Sequence, residues 1–285
     1  MNEHINIKYT VDYIKIDQVN LALHSWLPKQ MNAIIFYLHG IQSHAGWLHE
    51  FSRHIATHNI ATFVLDRRGA GISEGTRYDI ASKETLFHDY LICIKKIRKQ
   101  FPDIKLTILG HCLGGSLLAG LLCFKEISIT IDNVVFCSTG LGRIHQQLAG
   151  NNYPSLASES NTLINLNLND EDFTDTLHYL MFMKNDAYCN RFITKHGRSV
   201  LYEIETLYYA RKNVISIPAA YVYGRIDPVI DIPPALEIFD RLTGGNGVTL
   251  QLPAEKHYLL FTQQKHLFIN WLATYSLTNG YTQYD

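Results

Sequence analysis

Three short segments of this chain carry residue types that could do nucleophilic chemistry together. The first reads Ile108-Leu109-Gly110-His111-Cys112-Leu113-Gly114-Gly115. A buried apolar run passes straight into a helical pattern, with a glycine two residues before Cys112 and another two after it. Larger side chains there would collide across so tight a turn, so the pattern is that of a strand–turn–helix elbow presenting a nucleophile. Such a turn lifts the Cys112 side chain to the edge of a sheet. It also leaves the sulfur at a helix N-terminus, where free N–H groups and the helix dipole favour a thiolate. The competing reading is a packing cysteine between glycines.

The second segment is Val222-Tyr223-Gly224-Arg225-Ile226-Asp227-Pro228. Asp227 stands three residues beyond the glycine that ends an apolar run, where a carboxylate could reach a histidine above the sheet. An Asp before Pro is also an ordinary turn starter. The third is Ala254-Glu255-Lys256-His257-Tyr258, just after the run Val248 to Leu252. A lone histidine after a strand is commonly structural. Here the chain order is nucleophile, acid, histidine, which fits a Cys112–His257–Asp227 triad. His39-Gly40-Ile41 follows another apolar run, so the backbone N–H groups of Ile41 and Leu113 are expected to converge as an oxyanion hole.

These segments need a scaffold that brings strand ends together. Alternation over Thr10 to Ile16 and Leu21 to Trp26 predicts an opening hairpin. Ala33–Leu38, Ala61–Leu65, Lys105–Leu109, Asn133–Ser138, Ala219–Tyr223 and Val248–Leu252 read as six further strands. Helices are expected over Trp47–His58, Ser82–Gln100, Leu113–Phe124, Ala235–Leu242 and Gln263–Tyr275. Strand and helix alternate, so the fold class is α/β: a mainly parallel eight-stranded sheet with helices on both faces. Between Ser138 and Pro218 no strand is evident, and the stretch is too long for a connection. Residues 141–213 are therefore expected to form an inserted helical cap on a single domain spanning 1–285. A helix is expected over Asp172–Lys184, with Tyr179, Met181, Phe182 and Met183 as candidate substrate-binding residues or as the cap's own core.

Composition bounds the rest. The chain has 285 residues, 47% of them hydrophobic and 18% charged, with a net charge of −1. That is a globular composition with no electrostatic pull toward nucleic acid. No signal-peptide core or membrane-spanning run is apparent, and Cys93, Cys112, Cys123, Cys137 and Cys189 lack Cys-x-x-Cys spacing. A reducing, cytoplasmic setting is expected. Gly69 and Gly71 resemble part of a dinucleotide fingerprint, but the third glycine is misplaced and no cofactor is expected. His54 and His58 lie one turn apart without further ligands, so no metal is expected. The acidic stretch around Asp170–Asp175 reads as a solvated face.

Taken together, His39-Gly40, the Asp66-x-x-Gly-x-Gly-x-Ser73-x-Gly75 segment, Gly110-His-x-Leu-Gly-Gly115, Gly224-x-x-Asp227 and His257 resemble the monoacylglycerol lipase and lysophospholipase branch of the α/β-hydrolases. The likeness runs from about residue 20 to 275. It implies an α/β-hydrolase fold, a Ser-His-Asp type hydrolase of carboxylic esters, a cap over an acyl pocket and no cofactor. The cap does not visibly match, and Cys112 stands where that family has serine. A thiolate is the stronger nucleophile near neutral pH and gives a thioester acyl-enzyme. This favours thioesters or activated esters as small-molecule donors, carrier- or CoA-bound ones included, with hydrolysis or transfer to an acceptor. Three alternatives stay open: a serine-type lipase or esterase with a Ser→Cys substitution, a lactone hydrolase similar to dienelactone hydrolases, and a hydrolase-fold binding protein without turnover.

Overall fold

The computed structural model describes residues 7–124, 131–148 and 160–278. Strands β1 (Lys8–Ile16) and β2 (Val19–Leu27) form the expected hairpin. Asp17 and Gln18 take positive φ between them, and Ile16 pairs with Val19, so the turn has the mirror-image geometry that suits strand twist. The remaining sheet strands are β3 (Ala33–Leu38), β4 (Ile60–Leu65), β5 (Lys105–His111), β6 (Asn133–Cys137), and, beyond a long insertion, β9 (Ala219–Gly224) and β10 (Val248–Leu252). The sheet order is β1-β2-β4-β3-β5-β6-β9-β10. β1, β2 and β4 run antiparallel to their neighbours in turn, and every pairing from β4 to β10 is parallel. All eight strands expected from the sequence are therefore present.

Side chains of β3 and β5 alternate between two cores, because successive residues of a strand face opposite sides. Phe36, Leu38 and Ile108 pack against α2 (Lys83–Gln100), α3 (Leu113–Cys123) and α8 (Ile232–Thr243). Ile35, Tyr37 and Leu109 pack against α1 (His49–Ala56) and α9 (Lys265–Leu277). The caps follow from residue type. The Ser82 hydroxyl accepts from Thr85 N–H at the start of α2, and Gly244 closes α8 in the left-handed conformation.

The stretch between β6 and β9 departs from expectation in two ways. Besides α4 (Arg143–Leu148) and α7 (Lys195–Tyr208), it contains two short strands, β7 (Leu163–Asn165) and β8 (Phe192–Thr194), paired antiparallel. The helix expected over Asp172–Lys184 is broken into α5 (Asp170–Phe173) and α6 (Leu177–Asn185). The break has a local cause. Thr174 is extended, its hydroxyl donates to the Phe261 carbonyl at 2.7 Å, and the same oxygen accepts from Thr176 N–H. That ties the chain to the body of the domain at the point where a helix would have continued. No helix among the described residues is long and apolar enough to cross a membrane.

Candidate active site

β5 lies between β3 and β6 near the centre of the sheet, and its C-terminal end delivers Cys112. Cys112 has φ 52° and ψ −118°, a conformation that side-chain-bearing residues seldom hold, and α3 begins at the next residue. The flanking glycines make the turn possible. A Cβ on Gly110 would lie 2.5 Å from the Gly114 carbonyl oxygen, and one on Gly114 would lie 1.9 Å from that of Leu38. Strand, helix and the neighbouring β3 thus meet backbone to backbone, which only glycine permits.

Asp227 follows β9 and His257 follows β10. Both side chains are fully buried, and His257 Nδ1 lies 2.9 Å from Asp227 Oδ2 and 3.0 Å from Oδ1. A carboxylate can only accept, so Nδ1 carries a proton, and Nε2 is the ring nitrogen not engaged by Asp227. Asp227 is fixed by the N–H groups of Val229 and Ile230, each 2.9 Å from Oδ1. The backbone at His257 is held from the stretch between β6 and β9: His257 N–H donates to the Asp172 carbonyl, Tyr258 N–H donates to that of Phe173, and the Phe173 ring packs edge-on against the imidazole.

His257 Nε2 is buried and holds no hydrogen bond among the described residues. Its electrostatic neighbour is the Cys112 thiol. Burial works against a charge on either group. For Cys112 it is outweighed by the His257 charge, with help from Arg143 and the Leu113 N–H, and the thiol falls below its ordinary value. For His257 it is outweighed by Asp227 and by Cys112, and the imidazole is raised. The two shifts favour a thiolate–imidazolium pair. The other four cysteines contrast with this: burial pushes Cys93 and Cys189 up to about 12, Cys123 up to about 11, and Cys137 higher still. All five are free.

The Gly40 turn comes close to the thiol, since a Cβ there would sit 3.3 Å from Cys112 Cβ. Ile41 and Leu113 line one cavity together with Cys112. Neither of their N–H groups donates to a backbone carbonyl among the described residues. Two buried residues hold this loop: Asp66, which opens the motif noted in the sequence but was given no role there, and Arg67, which the sequence did not single out. Arg67 donates to the carbonyls of His39 and Gly40. Asp66 accepts from Ala45 N–H, Ile72 N–H and His24 Nε2. Gly71, part of the glycine pattern set aside above, presses against the Asp66 carboxylate. The signal for both residues was their place directly after a buried strand.

The cavity beside Cys112 has a volume of about 360 Å³. Its walls include Ile164, Leu166, Leu168 and Leu201 from the insertion, together with Arg143, Arg198 and Glu205. Tyr179, Met181, Phe182 and Met183, read from the sequence either as substrate-binding residues or as core, do not line it. Tyr179 and Met183 are buried in the α1/α9 core, Tyr179 stacks on Phe261 and donates to Glu50, and Met181 and Phe182 are solvent-exposed. Among the described residues, no group of three or more His, Cys, Asp or Glu side chains is arranged to hold a metal. His54, on α1, and His58, just beyond its end, stack on each other, with His266 beside His54.

The family described as "Serine aminopeptidase, S33" matches residues 29–263, which takes in every element from β3 to the segment that carries His257. The chain belongs to that family. Its sequence is 30% identical over 105 residues to the monoglyceride lipase of Mus musculus, a match that covers 36% of this chain and 35% of the relative. The chain thus aligns with about a third of the length of the curated relatives it matches. Among solved structures, a soluble variant of the monoglyceride lipase from Saccharomyces cerevisiae superposes with a TM-score of 0.83 at 16% identity, covering 99% of both chains. The monoacylglycerol lipase of Paleococcus ferrophilus gives 0.73 at 15% identity, over 92% of this chain and 99% of that one. The fold is that of the α/β-hydrolases, with a cysteine at the elbow of a family whose description names serine.

Proposed function

We propose that this protein is an acyl-transferring hydrolase that works through an S-acyl-enzyme on Cys112, with residues 141–213 as the cap over its acyl site. The observation that carries the reading is a thiol with a lowered pKa, on a strained elbow, against a buried His257–Asp227 pair and open to a cavity. The Cys112 thiolate attacks the carbonyl carbon of a thioester or activated ester. A C–S bond forms, and the carbonyl electron pair moves to oxygen, where the Ile41 and Leu113 N–H groups stabilise it. The pair returns, the bond to the leaving group breaks, and His257 gives that group its proton. Water, or an acceptor amine or alcohol, then loses a proton to His257 and attacks the thioester, which restores the thiolate–imidazolium pair. Asp227 keeps His257 in the tautomer this requires.

The second reading is hydrolysis of oxygen esters. The similarity to monoglyceride lipases favours it. Exchange of one thioester for another is closer to balance than formation of a thioester from an oxygen ester, so the first reading suits the sulfur better. Intact-protein mass spectrometry after mixing with a panel of acyl thioesters, with and without amines, tests it. The expected result is an acyl-sized mass gain on Cys112 that Cys112→Ala abolishes. Unchanged acyl turnover by Cys112→Ala would overturn the reading. Turnover of oxygen esters alone would select the second.

A further inference from the structure

We propose that the substrate carries an anionic group on its acyl side and that Arg143 and Arg198 hold this group in the cavity beside Cys112. The inference rests on the reading above that Cys112 becomes acylated, and it adds the substrate class.

The cavity wall is mostly aliphatic, which suits an acyl chain. Two guanidinium groups interrupt it. Arginines in comparable half-buried settings elsewhere have acceptors: Arg77 donates to a backbone carbonyl, Arg68 pairs with Asp89, Arg98 with Asp132, Arg191 with Asp170, and Arg241 donates to the Tyr209 carbonyl. Arg143 and Arg198 are half-buried too, yet neither side chain forms an ion pair or hydrogen bond among the described residues. The acidic residue that shares the cavity with them is already engaged. Glu205 accepts from the N–H groups of Ile144 and His145 and bonds His145 Nδ1. The nearby Asp227 is taken up by His257, Val229 and Ile230.

An entering anion therefore meets two uncommitted cations. A guanidinium presents a planar fork that matches a carboxylate, and in a desolvated pocket it gains more from a charged partner than from water. A neutral acyl chain would leave both groups unused. Asn165 and Asn167 line the same wall and add amide donors. Arg143 also acts electrostatically on Cys112, so the anion and the sulfur are served from one cavity.

The test compares hexanoyl and adipoyl thioesters of N-acetylcysteamine, which share a neutral leaving group and differ in a terminal carboxylate. Acylation of Cys112 is followed by intact mass, and turnover by kcat/KM. The adipoyl donor should be preferred by roughly tenfold or more, the scale of one charge-assisted pair. Arg198→Gln and Arg143→Gln should each lower the adipoyl-to-hexanoyl ratio by about tenfold, while Arg143→Lys should keep part of it. Because both donors meet the same variant, partial misfolding lowers both rates and leaves the ratio intact. Equal kcat/KM for the two donors in the unmodified protein would overturn the proposal while leaving S-acylation standing. A preference seen only for hexanoyl-CoA, whose leaving group is the anionic part, would overturn the acyl-side placement. Acylation by none of these donors would remove the underlying reading and the proposal with it.

Discussion

Arg67 donates through Nη1 to the His39 carbonyl at 2.6 Å and through Nη2 to the Gly40 carbonyl at 2.8 Å. One buried guanidinium thus spans two successive carbonyls of the turn that presents Ile41 to Cys112. With their C=O groups pinned inward, the peptide planes are fixed, and so is the direction of the N–H that follows. The neighbouring His39 is kept neutral by burial and by the Arg67 charge, so it adds no competing positive charge to the turn.

Arg67→Met should therefore loosen the Gly40–Ile41 turn, the proposed oxyanion loop, while leaving the cavity walls in place. We expect kcat to fall about tenfold to a hundredfold, the scale of a misplaced or lost oxyanion donor, with KM little changed. Arg67→Lys should recover little, because a single ammonium cannot replace the two-pronged contact. Steady-state kinetics on one acyl donor checks this. A change confined to KM would show that Arg67 serves binding and not the transition state.

The reactivity of Cys112 should follow the coupling between its thiol and His257. Burial raises the thiol, but His257 first, then Arg143 and the Leu113 N–H, bring it below its ordinary value. Alkylation by iodoacetamide should hold its plateau to a pH below about 8.5, the free-thiol value, and fall only as the thiolate takes up its proton. In His257→Ala the burial effect prevails, and alkylation at pH 7 should slow by about tenfold or more. Because His257 is raised, kcat/KM should stay high above pH 6.5 and decline only when the imidazolium is lost. Identical alkylation profiles for the two proteins would refute the coupling.

Acid stability should depend on Asp66. Burial opposes its charge, but the hydrogen bonds from His24 and from the Ala45 N–H lower it to about 2. A carboxyl lowered in the folded state stabilises the fold at pH values above its unfolded pKa of about 3.9, and that contribution is lost as pH falls toward 2. The effect is about 2 kcal/mol at neutral pH. Asp66→Asn should melt earlier at pH 7, and the gap to the unmodified protein should close between about pH 4 and pH 2. Melting curves at stepped pH measure it, and a gap that stays constant across that range would count against this role.

Much of the architecture was legible because its signals are local. Runs such as Ala33–Leu38 and Ile60–Leu65 are buried along their whole length, so continuous apolar sequence marked them. The elbow was legible because Gly110 and Gly114 are required by backbone contact. Asp227 and His257 were legible from chain order, although their pairing is a tertiary fact. The insertion was harder to read. Its helix ends at Thr174 because of a bond to the distant Phe261, which no window of sequence contains. Tyr179 and Met183 looked like a pocket wall because apolar side chains are common to pockets and cores alike. The cavity wall left a clearer trace that went unread: Ile164-Asn165-Leu166-Asn167-Leu168-Asn169 alternates with period two. Arg143 and Arg198 gave no local sign, since their lack of partners among the described residues is visible only in three dimensions.

The order of Cys112, Asp227 and His257 along the chain has a consequence for the protein during its own synthesis. Cys112 precedes the insertion, whereas Asp227 and His257 follow it, after β9 and β10. A ribosome that has released the elbow still has all of these to add. Until His257 docks, held by the Asp172 and Phe173 carbonyls, the sulfur is an ordinary thiol of low reactivity. On the proposed reading of Cys112 as nucleophile, the nascent chain is thus spared premature acylation until the last sheet strand and the segment after it have closed over the site.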